Sequence, residues 1–150
     1  GTWSNILSTA SDLSEAALEQ AYIDIANFKN DRNLRIAVRP QSLVIPVNLV
    51  FEAERILKST GRVGTADNDL NALKSMGMFP KGVIVNHYLT DTDAWFIKTN
   101  VAHGMKHFER WADRFQSDND FDTDNAKFKA VGRYSFGWTD PRGIFCTAGA

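Results

Sequence analysis

The stretch RIAVRPQSLVIPVNLVFEAERILKS, residues 35–59, predicts a buried strand joined through one proline to an amphipathic helix. Its Leu-Val-Ile run at 43–45 is too short for a helix and lies between Pro40 and Pro46, which is typical of a strand covered on both faces. Pro46 suits the first turn of a helix, because its φ is fixed and its missing N–H has no helical partner there. We expect the rest of the chain to pack on this strand–helix unit.

Apolar residues of the helix recur at the spacing that lines one helical face, and that face should point inward. The helix should end at Thr60-Gly61, since glycine commonly follows the last helical residue. The residues predicted for the core of this unit are Leu43, Ile45, Leu49, Ala53 and Ile56, with Val50 and Leu57 on the same helical face.

Composition limits the class of protein. A chain of 150 residues with 43% hydrophobic content is long enough for one domain with a core. Lys and Arg number 17 against 18 Asp and Glu, which disfavours tight binding to a phosphate backbone. The single cysteine, Cys146, excludes an intrachain disulfide. No apolar run approaches ~18 residues and no charged-then-apolar leader opens the chain, so we expect neither a membrane span nor a signal peptide.

The N-terminal third predicts one helix and one extended segment. Residues 1–12 carry no periodicity and are interpreted as a tail or linker. Ser14 resembles a helix cap, with Leu13 and Leu18 placed to form a hydrophobic staple, and the pattern predicts an amphipathic helix over residues 15–28. The alternating residues 34–38 predict an edge strand or an extended approach to the central strand.

The middle of the chain predicts a long exposed loop and then a hairpin. The loop runs from Arg62 to Lys81, with a short helical turn inside it, and loops of this length are usually functional or mobile. Residues 82–85 and 94–97 are interpreted as two strands joined by a turn at 89–93.

The C-terminal third predicts further strands. Residues 105–111 fit either a helix or a strand by spacing alone. Residues 128–136 and 144–147 are interpreted as strands joined by a turn at 137–143, which gives a terminal β-hairpin. The resulting class is α+β, with a central mixed sheet flanked by two or more helices.

Four side chains raise the possibility of a metal site: His87, Asp91, His103 and His107. His103 and His107 are four residues apart, so they share a face if that segment is helical. However, no glutamate follows the first histidine to serve as a base, and Gly104 weakens the helix that the spacing requires. A metal-dependent hydrolase using these residues is therefore the alternative, and ordinary surface histidines are favoured.

Other catalytic patterns are weaker still. The alternating aspartates in SDNDFDTDN, residues 117–125, lack the glycine and glutamate that a calcium-binding hand needs at its sixth and twelfth places, so they predict a solvated acidic connection. Cys146 has no histidine near it in sequence, and the chain contains neither a Gly-x-Ser-x-Gly elbow nor a phosphate-binding glycine loop. We expect no enzyme activity and no cofactor.

The order of several segments resembles a known family. LSEAALEQAYIDIANFKN, LRIAVRPQSLVIPVNLVFEAERILKS, VIVNHYLTDTDAWFIKTN and FKAVGRYSFGWTDPRGIFCTAGA follow one another as in the C-terminal half of tailed-phage major capsid proteins with the Hong Kong 97-like fold. The resemblance covers most of residues 13–150. It favours a strand for residues 105–111, since in such proteins that segment belongs to a sheet leaving the axial domain.

The resemblance implies a domain plan. Residues 13–104 correspond to the axial (A) domain that clusters at capsomer centres, and residues 105–150 to strands returning to the peripheral (P) domain. The two parts are expected to form one compact unit. The family's N-terminal arm, extended loop and long spine helix would precede this material.

The resemblance also implies a structural role as a major capsid protein, whose copies form the pentamers and hexamers of an icosahedral shell around packaged DNA. The partners implied are other copies of the chain, scaffolding or decoration proteins, and packaged DNA through weak, non-specific contact. The place implied is the virion capsid, after assembly in the host cytoplasm. A monomeric nucleic-acid binder remains a second alternative, and it requires a basic patch hidden by the balanced charge.

The long loop is the candidate for subunit contacts, because it carries charges of both signs and is expected to be exposed. Its charged residues proposed for the subunit interface are Arg62, Asp67, Asp69, Lys74 and Lys81.

Overall fold

The computed structural model describes residues 4–62 and 69–150. The helices are α1 (Glu15–Ala26), α2 (Val50–Lys58) and α3 (Ala72–Met76), with 3-10 turns at Val47–Leu49 and Pro141–Gly143. The strands are β1 (Pro40–Ile45), β2 (Val83–Val85), β3 (Trp95–Thr99), β4 (Met105–Asn119), β5 (Ala126–Trp138) and β6 (Ile144–Thr147).

The chain divides into two compact units. The first contains the described residues up to Gly104 together with Asp140–Ala150, and the second is Met105–Thr139. Residues 140–150 thus belong with the first unit. The assignment of segments to axial and peripheral domains stays a prediction.

The first unit is built on a four-stranded sheet in the order β2-β1-β3-β6. Strand β1 pairs with β2 in parallel and with β3 in antiparallel fashion, and β3 pairs with β6 in antiparallel fashion. The sheet is therefore mixed, with helices, and this confirms the predicted α+β class. Strand β1 lies inside the sheet, as the Pro-bounded apolar run predicted. The predicted cover on both faces is only partly present, because Leu43 and Ile45 are fully buried on one face whereas Val44 on the other face is half-buried.

Helix α1 begins where its cap predicts. The Ser14 hydroxyl oxygen accepts a hydrogen bond from the backbone N–H of Ala17 at 3.2 Å, which satisfies one of the free donors of the first turn. Leu13 and Leu18 are both buried, as the staple requires. The helix ends at Ala26 rather than at residue 28, because the N–H of Phe28 bonds to the carbonyl of Ile25 instead of continuing the helical pattern.

Pro46 lies one residue before the helical region, with extended backbone at φ −70° and ψ 166°. A 3-10 turn then leads into α2. Ala53 and Ile56 are buried at 1% and 4% exposure, and the three other predicted face residues, Leu49, Val50 and Leu57, are partly buried against the same core. The inward face predicted for this helix is confirmed.

The core lies on one face of the sheet. Leu43, Ile97 and Phe145 are cross-strand neighbours, and Ile45 and Trp95 lie on the same face because side chains alternate along a strand. All five are at most 1% exposed and belong to one cluster with the buried residues of α1 and α2. The helices therefore cover this face of the sheet.

The predicted hairpin of residues 82–85 and 94–97 is wrong in its pairing. Both segments are strands, but β1 lies between them, so β2 and β3 do not touch through backbone hydrogen bonds. The N–H of Leu43 bonds to the carbonyl of Gly82, and the N–H of Asn86 bonds to the carbonyl of Ile45. These bonds anchor both ends of β2 to β1. The connection formed by residues 86–94 then crosses β1, so that β3 pairs with the opposite edge of β1.

The predicted edge strand at 34–38 is an extended segment rather than a regular strand. Its only ladder contact among the described residues is a single bridge between Lys29 and Arg35. The N–H of Ile36 bonds to the carbonyl of Phe28, and that of Val38 to the carbonyl of Ile36. These local bonds use the donors that a strand would offer to a neighbour.

The predicted terminal hairpin of residues 128–136 and 144–147 is also wrong in its pairing, because these two strands do not pair with each other. Strand β6 pairs with β3, and β5 pairs with β4 over almost its whole length. The strand interpretation of residues 105–111 is confirmed and extends to Asn119. The acidic segment closes this hairpin, where Lys127 Nζ lies 2.8 Å from Asp120 Oδ2 and the Thr123 hydroxyl donates to the same oxygen at 3.0 Å.

The second unit is this hairpin. Its side chains on both faces are largely exposed. The His107 ring lies tilted against the rings of Tyr134 and Phe136, with centroids 5.6 and 5.1 Å away. The guanidinium groups of Arg114 and Arg133 lie 5.4 and 5.1 Å from the centroid of the Trp111 ring.

Candidate assembly loop

The base of the long loop is closed by backbone contacts. Gly61 and Leu70 form an antiparallel bridge, and the N–H of Arg62 donates to the carbonyl of Asp69 at 2.9 Å. The two ends of the segment between them are thereby held side by side. These contacts fix the base of the loop.

Asn71 organises the structure just behind that base. It is 1% exposed, and its side-chain amide donates to the carbonyls of Ile56 at 2.6 Å and Ser59 at 3.2 Å. Its side-chain oxygen accepts from the N–H of Lys74 at 3.2 Å, so it also caps α3. One side chain thus satisfies carbonyls at the end of α2 and a donor at the start of α3.

Arg62, the first predicted interface residue, lies at the loop base. Its Nε is 3.8 Å from a carboxylate oxygen of Glu15, which is 9% exposed at the first turn of α1. A carboxylate at that end of a helix is favoured by the helix dipole. The contact ties the loop base to α1.

Lys74 lies in α3, and Lys81 lies two residues before β2. Lys74 Nζ donates to the carbonyl of Lys58 at 2.9 Å, so its charge sits at the carboxyl end of α2, where a cation is stabilising. Lys81 is exposed, and its backbone N–H donates to the carbonyl of Gln41 at 2.9 Å.

The remaining two predicted interface residues are Asp69 and Asp67. Asp69 is exposed next to the bridge, whereas Asp67 lies outside the described residues. The structure thus brings Arg62 and Asp69 to the loop base and leaves Lys81 at the start of β2. Whether any of the five meets another subunit stays a prediction.

Sequence reasoning missed Asn71, although a signal was present. An asparagine directly before the short apolar pattern that became α3 is a typical N-cap. Its second role, bonding to the carbonyls of Ile56 and Ser59, depends on the approach of α2 and α3 and has no local signal.

The cleft between α2, α3 and β2 has a volume of about 410 Å³. Apolar side chains from Leu57, Leu73, Met78 and Val83 line much of it, and Lys58 and Lys74 lie at its polar side. The lining residues offer lysine ammonium groups and one carboxylate, Glu54, but no histidine, cysteine or serine.

The residues of the metal-site hypothesis occupy ordinary positions. His87 and His103 are exposed in the first unit, while His107 belongs to the hairpin and lies beside the rings of Tyr134 and Phe136 in tilted geometry. Asp91 shares a hydrogen bond with Asp93, which lowers the pKa of Asp91 and raises the pKa of Asp93. Within residues 4–62 and 69–150, no three His, Cys, Asp or Glu side chains are grouped to hold a metal ion.

Cys146 lies in β6, partly buried. Burial raises the pKa of its thiol, which reduces the thiolate fraction that reacts as a nucleophile. A small apolar role in the sheet fits this position.

Asp140 and Arg142 form a local ion pair in the Asp-Pro-Arg-Gly turn. The Asp140 carboxylate accepts from Arg142 Nε at 2.7 Å and from the Arg142 N–H at 2.9 Å. The hydrogen bond from the guanidinium is the main reason why the pKa of Asp140 is lowered. Arg142 Nη1 also donates to the carbonyl of Lys29 at 3.3 Å, and the Thr99 hydroxyl donates to the carbonyl of Arg142 at 2.6 Å.

The arrangement is that of a structural domain with an anchored, charged loop, and comparison with known proteins defines its class. A family model described as a phage capsid protein matches residues 1–147. The chain belongs to the phage capsid protein family, which confirms the resemblance inferred from the sequence. It is accordingly a structural protein of the virion capsid.

Two solved structures share the fold. The chain is similar to a virus-like particle protein from Pyrococcus furiosus, at 16% identity and a TM-score of 0.50, over 95% of this chain and 55% of that one. It is also similar to a chain of Mycobacterium phage Che8, at 14% identity and a TM-score of 0.53, over 98% of this chain and 54% of that one. The chain thus spans about half the length of these neighbours. A search of curated proteins gave no match.

No helix among the described residues is long and apolar enough to cross a membrane.

Proposed function

We propose that copies of this chain form the pentamers and hexamers of an icosahedral shell that encloses phage DNA, in the role of the major capsid protein. The observation that carries the proposal is the match of the capsid family model to residues 1–147. The likeness to a virus-like particle protein supports self-assembly. The role is structural rather than catalytic.

In this proposal, residues 13–104 form the axial domain and residues 105–150 contain the strands that return to the peripheral domain, with residues 140–150 ending in the sheet of the first unit. Assembly takes place in the host cytoplasm. Scaffolding or decoration proteins are additional partners, and the packaged DNA makes only weak contacts, in keeping with a net charge of −1.

The long loop is the proposed contact at the capsomer centre. Its base is fixed by the Gly61–Leu70 bridge and by Asn71, so this base does not have to become ordered when an interface forms. A fixed base reduces the entropy lost on association. The Arg62 side chain is 45% exposed and remains accessible beside Glu15.

Charge reversal tests the loop proposal. Arg62→Glu and Lys81→Glu should each weaken oligomer formation, because a heterologous interface repeats the same defect at every contact of a ring. Arg32→Glu, an exposed reversal in the turn after α1, is the matched control and should assemble like the wild type. Light scattering after size-exclusion chromatography reports the oligomer.

Lys74→Glu is less informative alone, since Lys74 also bonds to the end of α2. Unfolding curves for all four variants separate loss of contact from loss of fold. Oligomers of unchanged size and stability in Arg62→Glu and Lys81→Glu would remove the loop from the interface, while leaving the capsid role intact.

A further inference from the structure

The sheet of the first unit has a second face, opposite the core, that carries an unbroken apolar row. Ile84, Val44, Phe96 and Cys146 are successive cross-strand neighbours over all four strands. The backbone bridge from Cys146 to Ile6 extends the row by one residue. Directly opposed residues on neighbouring strands share a face, so the five side chains form a continuous stripe, here called the sheet stripe.

The sheet stripe is incompletely covered. Ile84 and Ile6, at its two ends, are 47% and 56% exposed, and the three residues between them are half-buried. The opposite face, in contrast, contributes Leu43, Ile97 and Phe145 at 1% exposure or less. An antiparallel or mixed sheet with one solvated face normally carries polar residues there. An apolar row in that position is typical of a surface that becomes covered.

The helical side of the unit carries a second apolar patch. Phe51 in α2 is 78% exposed, and Val47 in the preceding turn is 49% exposed. They are four residues apart, and the buried residues of α2, Ala53 and Ile56, lie on another side of the helix. We call Val47 and Phe51 the helix patch.

The two surfaces lie on opposite sides of the same unit. The helices cover the core face of the sheet, the helix patch points away from that core, and the sheet stripe lies on the reverse face. Two different complementary surfaces on opposite sides suit a head-to-tail contact between copies, which closes into a ring when the rotation allows it. A self-complementary two-fold contact would instead require a single patch.

We propose that the helix patch of one copy packs on the sheet stripe of the next copy within a capsomer. The inference rests on the proposed capsid function, which supplies the second copy as occupant. In this contact, α2 of one copy packs on the sheet stripe of the next copy, much as α1 and α2 pack on the core face of their own sheet. Each sheet is then covered on both sides, which is an ordinary layered arrangement.

Two exposed positions allow a test that leaves the fold alone. Phe51→Lys disables the helix patch, Ile84→Lys disables the sheet stripe, and Leu34→Lys is the control at a residue that is 61% exposed and belongs to neither surface. Each of the first two variants should raise the concentration needed for half-maximal assembly by about tenfold or more, because each places a charge in an apolar contact. The control should match the wild type.

Mixing the two defective variants distinguishes a head-to-tail contact from a two-fold one. Phe51→Lys retains an intact sheet stripe and Ile84→Lys an intact helix patch, so a mixture has one functional contact per pair. We expect one-to-one dimers that stop there, measured by native mass spectrometry. Absence of dimers in the mixture, with each variant folded by circular dichroism, would overturn the inference.

The outcome also separates this inference from the function on which it rests. A wild-type chain that assembles, together with Phe51→Lys and Ile84→Lys variants that assemble equally well, overturns the inference and retains the capsid role. A wild-type chain that stays monomeric at high concentration counts against both.

Discussion

The side-chain amide of Asn71 donates to the carbonyl of Ile56 at a distance of 2.6 Å, in a site where Asn71 is 1% exposed. A second bond reaches the carbonyl of Ser59, and the side-chain oxygen accepts from Lys74 N–H. The last turn of α2 and the first turn of α3 are therefore held by one residue.

Asn71→Ala should lower the free energy of unfolding by ~1–3 kcal/mol, because it leaves buried carbonyls without their donor. Asn71→Asp should cost at least as much, since it replaces the amide donor by a carboxylate facing the same carbonyl oxygens. Urea unfolding followed by circular dichroism measures both. The control is Asn48→Ala, which is exposed; equal stability of Asn71→Ala and Asn48→Ala would contradict the role assigned to Asn71.

Gly104 and Gly143 approach each other so closely that a Cβ on Gly143 would lie 2.6 Å from the Gly104 Cα. Both glycines are buried, so the backbone has to move to accept even a methyl group. Gly143→Ala should destabilise the protein by ~1–3 kcal/mol, as overpacking typically does.

Gly61→Ala is the matched control, since its Cβ would meet its nearest neighbour at an ordinary 3.5 Å. The melting temperatures of the two variants give the comparison. A Gly143→Ala protein that melts with the wild type would show that the close approach is not maintained in solution.

Leu43 and Ile45 are fully buried in the central strand. Leu43→Ala and Ile45→Ala should each cost ~2–5 kcal/mol, because the loss combines transfer of apolar surface with the cavity left behind. Leu34→Ala, at a residue 61% exposed, should change stability little. Chemical denaturation measures the three variants, and a loss below ~1 kcal/mol at both buried positions would place the core elsewhere.

The ion pair of Asp140 and Arg142 should make part of the stability pH-dependent. The pKa of Asp140 is lower in the folded protein than in the unfolded chain, so its contribution is complete above the ordinary carboxyl value of about 4. That contribution is lost as the pH falls through the lower, folded value. The stability difference between wild type and Asp140→Asn should therefore shrink below about pH 4.

Unfolding measured from pH 7 down to pH 2 tests this expectation, with Asp122→Asn, an exposed change in the hairpin turn, as the control. A difference between wild type and Asp140→Asn that stays constant over the whole range would mean that the ion pair does not stabilise the fold.

Local signals predicted the elements, whereas pairing required information that no local pattern contains. Ser14 marked the start of α1, and the Pro-bounded run at 43–45 marked the central strand, because caps and short apolar runs act through neighbours in sequence. The hairpin of residues 82–85 and 94–97 was wrong because β1, some forty residues earlier, takes the place between the two strands.

The same limit applies to β6 and to the loop. Nothing in residues 144–147 indicates that their partner is β3 rather than β5, since either pairing places apolar residues in a sheet. In the loop, charge was predictable from composition. The predicted exposure was wrong for Asn71 and Leu73, which are buried, and the bonds from Asn71 to Ile56 and from Lys74 to Lys58 depend on how two helices meet. A contact with another copy of the chain has no local sequence pattern by which one sequence alone could identify it.

The central claim is that these residues belong to the subunit of a phage shell. The most direct measurement is negative-stain electron microscopy of the native source, combined with the intact mass of the polypeptide that carries the sequence. We expect icosahedral particles whose principal polypeptide contains these residues. A free monomeric polypeptide, with no particles present, would contradict it.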